Sequence, residues 1–218
     1  MNRLSSALLA AAVLVFAVPA TAQEYRFTYS KLYTQMKNNA KEGHEDVKVS
    51  FFFINRETRQ LCHIEKAWME KEEHYEELNS SPTNELLVPL DSNLRNANPL
   101  VYVHTQNDIQ CDFSMVVMTK EPLSGTLGYK DIEHYPQQMK SLLDDLGGMF
   151  SSWFSPDVEG LTMEFSNNYN GTIERSSGEI IPIEDGVATV LLSDLSQDES
   201  ITLPQETVRV LPYIPKAQ

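Results

Sequence analysis

Cys62 and Cys111 are the only thiols in a chain of 218 residues, and the chemistry open to such a pair depends on its compartment. Under oxidising conditions they would close a loop of roughly fifty residues, which the loop-entropy model values at about 4 kcal/mol of stability. A redox-active pair would instead use Cys-x-x-Cys spacing to depress one thiol's pKa. That spacing is absent, so the expected role is a structural disulfide. The histidines, His44, His63, His74, His104 and His134, stand singly, without the His-Glu-x-x-His or His-x-His pairs from which zinc sites are built. Glu70 and His74 would share a face if they lay on a helix, which is half a metal site and otherwise a solvated ion pair. Asn168, Asn170 and Gly171 imitate the opening of a calcium loop, but Ser177 stands where its closing glutamate belongs.

Nucleophilic chemistry finds equally little. There is no Gly-x-Ser-x-Gly elbow, and Ser151 and Ser152 stand beside Trp153 in an apolar stretch where packing accounts for them. Asp144 and Asp145 are adjacent, so on a helix they diverge and cannot flank one glycosidic bond. No glycine loop is present to cradle phosphate. The expectation is therefore no catalytic residue, no metal ligand and no cofactor. It leads to a non-catalytic binding or accessory module, with an envelope protein as partner. Two alternatives stand beside it. One is a hydrolase whose carboxylates, or a histidine and a carboxylate, converge only in three dimensions; the other is a structural envelope component.

The compartment is read from the leader. Arg3 precedes an uncharged apolar run from Leu8 to Val18, which closes on Ala20-Thr21-Ala22. The run is too short to span a bilayer, and its small residues suit signal peptidase, so residues 1–22 are expected to be a signal peptide cut between Ala22 and Gln23. Removing them takes away one charge, Arg3, and leaves 16 basic against 31 acidic residues, a net charge of −15. Such a chain repels phosphate backbones and anionic headgroups, which argues against nucleic acid and leaves cationic partners open. No later stretch is apolar enough for a membrane helix, so the mature chain is expected to be released into the periplasm or beyond.

The elements that must position these residues are mostly strands. Tyr25, Phe27 and Tyr29 alternate with polar residues, and a short helix is expected after Ser30, with Leu32, Tyr33, Met36 and Ala40 on one face and Gly43 as its stop. Val47, Val49, Phe51 and Phe53 form the next alternation. Residues 67–78 suit either a charged surface helix or a meander of strands. Residues 86–90 read as a short strand, while 100–104 and 113–119 read as a hairpin. A helix is expected to open at Pro136, carrying Met139, Leu142, Leu143, Leu146, Phe150 and Trp153 on one stripe until Pro156. Leu161, Met163 and Phe165 then alternate into an Asn170-Gly171 hairpin turn. A second hairpin is expected around Asp185-Gly186, and strands at 201–203 and 208–214 close the chain. Phe51, Phe52 and Phe53 cannot share one face of a strand, so both faces are expected to be buried, the alternative being an exposed contact surface. The fold class is α+β, mostly antiparallel β, with two sandwich-like β-rich lobes (23–130 and 156–218) joined by an amphipathic helix within 131–155.

The run Tyr29-Ser30-Lys31-Leu32-Tyr33, the aromatic strand leading to Cys62, the block Leu87-Val88-Pro89-Leu90-Asp91, and Cys111 before Ser114-Met115-Val116-Val117 together resemble an exported family of marine gammaproteobacteria, domain of unknown function 2987. The resemblance implies a Gram-negative periplasmic home and implies no activity.

Overall fold

The computed structural model describes residues 23–147 and 157–215. The expected leader, Ala22 of its cleavage site, and the Ser151, Ser152, Trp153 stretch lie outside the described residues. The fold is α+β and dominated by antiparallel pairing, with its strands in four groups.

Alternation of apolar and polar side chains sets the first layer. β1 (Glu24–Thr28), β3 (Ile64–Lys71), β4 (His74–Leu78) and β5 (Leu100–Thr105) form a sheet in the order β1-β5-β3-β4. They turn Tyr25, Phe27, Ala67, Met69, Leu78, Val101 and Val103 into the core. Residues 67–78 are thus the strand meander, the hairpin β3–β4, rather than a helix. β2 (Val47–Asn55) and β6 (Cys111–Thr119) form a separate ribbon. Tyr25 and Phe27 meet Phe53 at ring distances of 4.5 and 6.5 Å, so this ribbon closes the inner face of the first sheet. Phe51, Phe52 and Phe53 are all buried. The face that carries Phe52 is covered as well, with the Arg209 guanidinium 4.8 Å from its ring.

Several local expectations are corrected by long-range pairing. β5 and β6 do not form a hairpin; β5 lies between β1 and β3, whereas β6 pairs with β2. α1 (Tyr29–Met36) follows β1 without a gap, one residue before the expected cap. Ser30 is not that cap: its amide donates to Asn98 Oδ1 at 2.9 Å, so the helix start is capped from a distant loop. A short α2 (Ser92–Ala97) is capped by Asp91, whose carboxylate accepts from Asn93 and Leu94.

After β7 (Thr126–Gly128) comes α3 (Tyr129–Gly147), which begins seven residues before Pro136. Asp131 reaches back to the Gly128 amide at 2.9 Å, as an acid at the third helical position does in a capping box. Pro136 sits inside the helix, where its missing amide forfeits one backbone bond. Its burial beside Ile132, Met139 and Leu142 offsets that loss.

The last strands are β8 (Gly160–Glu164), β9 (Gly171–Arg175), β10 (Ile180–Ile183), β11 (Val187–Leu191), β12 (Ser200–Thr202) and β13 (Arg209–Tyr213). They fall into the orders β10-β9-β12-β7 and β11-β8-β13. Asn170-Gly171 is not a hairpin turn, because β8 pairs with β11 and β13 while β9 pairs with β10 and β12. Asp185-Gly186 does make a tight turn, with φ of 49° and 81°, and Glu184 and Val187 exchange both backbone bonds. β10 and β11 then part into different sheets.

Candidate functional site

A cleft opens where one expected strand fails to form. Beyond β4 the chain turns on Ser81, whose Oγ accepts from the amides of Thr83 at 3.2 Å and Glu85 at 3.0 Å. Asn84 takes a left-handed φ of 62° in this turn, a conformation its short polar side chain tolerates. The returning chain pairs with the extension of β4 for one step, Ser80 with Leu86, and then leaves it, so residues 87–90 are not the expected strand. The cause is Tyr29. Its buried hydroxyl donates to the Pro89 carbonyl at 2.6 Å and accepts from the Asp91 amide at 2.9 Å, which draws the segment toward α1. Pro89, for its part, has no amide to offer a neighbouring strand.

The resulting gap has a volume of about 420 Å³ and is lined by Glu76, Glu77, Leu78 and Asn79 on one side and residues 85–89 on the other, with Lys48, Val49, Ser50 and Phe51 of β2 and with Met36 and Asn39. The β2 edge is already satisfied. Asn39 mimics a neighbouring strand, accepting from the Val49 amide at 2.7 Å and donating to its carbonyl at 3.1 Å. The Leu86 amide donates to the Phe51 carbonyl at 2.9 Å, and the Cys62 amide to that of Phe53 at 2.8 Å.

A closed polar network stands in the wall. Lys48 Nζ lies 2.9 Å from both Glu85 carboxylate oxygens, and Ser50 Oγ donates to one of them at 2.8 Å. The Lys48 and Glu85 side chains are 24 % and 12 % exposed, and Ser50 is buried. Partial burial makes this pair electrostatically costly to break. A hydroxyl bonded to a carboxylate is the first half of an activated nucleophile. Here, however, both oxygens also accept from an ammonium, so the arrangement holds a neutralised charge rather than a free base. Glu76 and Glu77 are exposed on the opposite wall, and among the described residues that line the cleft the single cation, Lys48, is already matched to Glu85. The cleft therefore carries an excess of negative charge.

The residues singled out from the sequence go elsewhere. Cys62 and Cys111 form the expected disulfide, with an S–S distance of 1.99 Å and Cα atoms 6.4 Å apart. Gln23, the expected first mature residue, is tied to the same place, its side-chain oxygen accepting from the Cys111 amide at 2.8 Å. Glu70 and His74 lie on opposite strands of the β3–β4 hairpin, where Glu70 faces Tyr75 and accepts from Trp68 Nε1 at 3.1 Å. Asn170 holds the Asp185 amide at 3.0 Å, and Ser177 donates to Glu199 at 2.6 Å. Asp145 receives Lys41 at 2.8 Å and His44 at 3.0 Å, and these partners hold its carboxyl below the usual range. His134 and then Gln138 do the same for Asp46. His104 pairs with Glu24 and His63 with Asn84. The described residues contain no cluster of three or more histidines, cysteines or acids that could hold a metal.

Sequence reasoning missed Lys48, Ser50 and Glu85. Lys48 and Ser50 share a face with Phe52, and the expected burial of that face already implies that its polar groups need partners; nothing in the local pattern says that the partner is Glu85.

A model of a family described as a protein of unknown function, DUF2987, matches residues 21–165. That stretch contains every residue of the cleft. No curated protein and no solved structure matches the chain.

Proposed function

The chain belongs to the DUF2987 family of proteins of unknown function, and from that premise we propose that it is a non-catalytic binding module, exported to the periplasm of a marine gammaproteobacterium. Export is supported by the leader at residues 1–22 and by the Cys62–Cys111 bond, which persists where thiols oxidise. The described residues contain no helix long and apolar enough to cross a membrane. The observation that carries the binding reading is the cleft between β4 and residues 87–89, with the neutral Lys48–Glu85–Ser50 network in its wall and the exposed Glu76 and Glu77 at its rim. Such a site selects a cationic ligand with apolar surface, not a nucleic acid.

The test is a calorimetric panel of polyamines, basic oligopeptides and neutral and anionic counterparts, run beside a hydrolase panel on the mature chain. Saturable binding of basic members, weakened by salt and retained in Ser50→Ala, is the expected result. Turnover that Ser50→Ala abolishes would instead establish the hydrolase reading. Export is checked separately by intact mass, which is expected to begin at Gln23 with no free thiol.

A further inference from the structure

We propose that the cleft takes an extended, basic peptide segment, which adds as a strand to the free edge of β4; this deepens the binding reading above and rests on it. Three features of the cleft converge. The first is an open backbone edge. Among the described residues β4 pairs with β3 alone, and the next segment follows it only as far as the Ser80–Leu86 bridge. A strand edge left unpaired is a template for another chain, and strand addition at such an edge is a recurrent mode of peptide recognition.

The second feature is the wall opposite. Tyr29 holds the Pro89–Asp91 backbone away from β4, so the gap is maintained by a buried hydrogen-bonded residue. Leu87 is 42 % exposed beside the gap, which offers an apolar contact to alternate side chains of an inserted strand.

The third is charge, and it chooses the occupant. β4 and the turn before it carry Glu72, Glu73, Glu76 and Glu77 within six residues. Glu76 faces Met69 across the ladder, on the side of the core, and yet is exposed. An inward-pointing charge on an edge strand discourages indiscriminate pairing. A second copy of β4 laid antiparallel would set these glutamates against one another, and like charges facing across strands destabilise. A lysine or arginine of an incoming strand would be matched by Glu76 on the core-side face or by Glu77 on the other. The edge thereby disfavours a second copy of β4 and favours a basic strand.

The probes are a capped hexapeptide of alternating Lys and Val, the same peptide N-methylated on the amides of one strand edge, and a Glu-Val counterpart. Titration calorimetry of the mature chain at low salt is expected to give saturable binding of the first. Binding of the N-methylated and acidic peptides is expected to be at least tenfold weaker. Amide exchange of β4 is expected to slow on addition of the Lys-Val peptide. A Glu76→Lys, Glu77→Lys double variant, with an unchanged urea midpoint, is expected to lose at least tenfold in affinity.

Equal binding of the N-methylated peptide would overturn strand addition while leaving cation capture by the cleft intact. Strand addition is overturned in the same way if a small polyamine binds and no peptide does, or if β4 amides are protected by self-association without peptide. Failure of every basic probe would instead remove the binding reading itself.

Discussion

At the scale of single residues, Glu199 lies away from the cleft, and its setting makes a pH prediction. Glu199 accepts from Arg175 Nε at 2.7 Å, Ser177 Oγ at 2.6 Å and the Ser196 amide at 3.1 Å. The Arg175 guanidinium foremost, then the hydroxyl and the amide, hold its carboxyl down at about 2. A carboxylate depressed in the folded state adds stability that is complete above its unfolded pKa and is lost as pH falls toward its folded one. The window runs from the ordinary glutamate value of 4.5 down to about 2. Urea midpoints measured through that window are expected to fall less steeply in Glu199→Gln than in the parent. Parallel slopes would show that the Arg175 network carries no linkage. The sequence pattern holds no sign of this network, because Arg175, Ser177 and Glu199 come together only when β9 and β12 pair.

Elements are legible where the pattern is local and obscure where a partner decides the outcome. The alternations at residues 47–53 and 161–165 and the stripe of α3 declare strand and helix by period alone. Nearness in sequence suggests hairpins that do not form: β5 and β6 separate into different sheets, as do β8 and β9. Proline draws the expected start of α3 too late, whereas the Asp131 cap at Gly128 sets it. Residues 87–90 have strand character but lose their neighbour to Tyr29. The disulfide links the end of the loop after β2 to the first residue of β6, across 49 positions, and so fastens the ribbon that closes the first sheet. Replacing both cysteines by serine is expected to cost about 4 kcal/mol in urea unfolding, on the loop-entropy account. A loss below about 1 kcal/mol would mean that the unfolded chain is already compact in this region.

Across the whole molecule the sheets share a core. One continuous cluster of buried apolar residues runs from Tyr29 in α1 through Phe51 and Phe53 of β2 to Met163 of β8 and Val210 of β13. α3 packs against β2, β6 and β8 together, and β13 packs against β6. Arg209 bonds Glu164 at 2.6 Å while its guanidinium covers Phe52, a residue of the first β-rich region. β7, which precedes α3 in sequence, pairs with β12, which follows it. Regions that share a core and a sheet in this way are expected to unfold together, so calorimetry is expected to show one unfolding transition, with van't Hoff and calorimetric enthalpies equal. Met163 is fully buried, and Met163→Ala is expected to cost about 3 kcal/mol through lost contacts and the cavity left behind. The decisive readout is at a distance: exchange protection of the β2 amides is expected to fall by the same free energy as that of β8. Two transitions, or β2 protection unchanged by the substitution, would show that the two regions fold as independent lobes and that the cleft is built by the first of them alone.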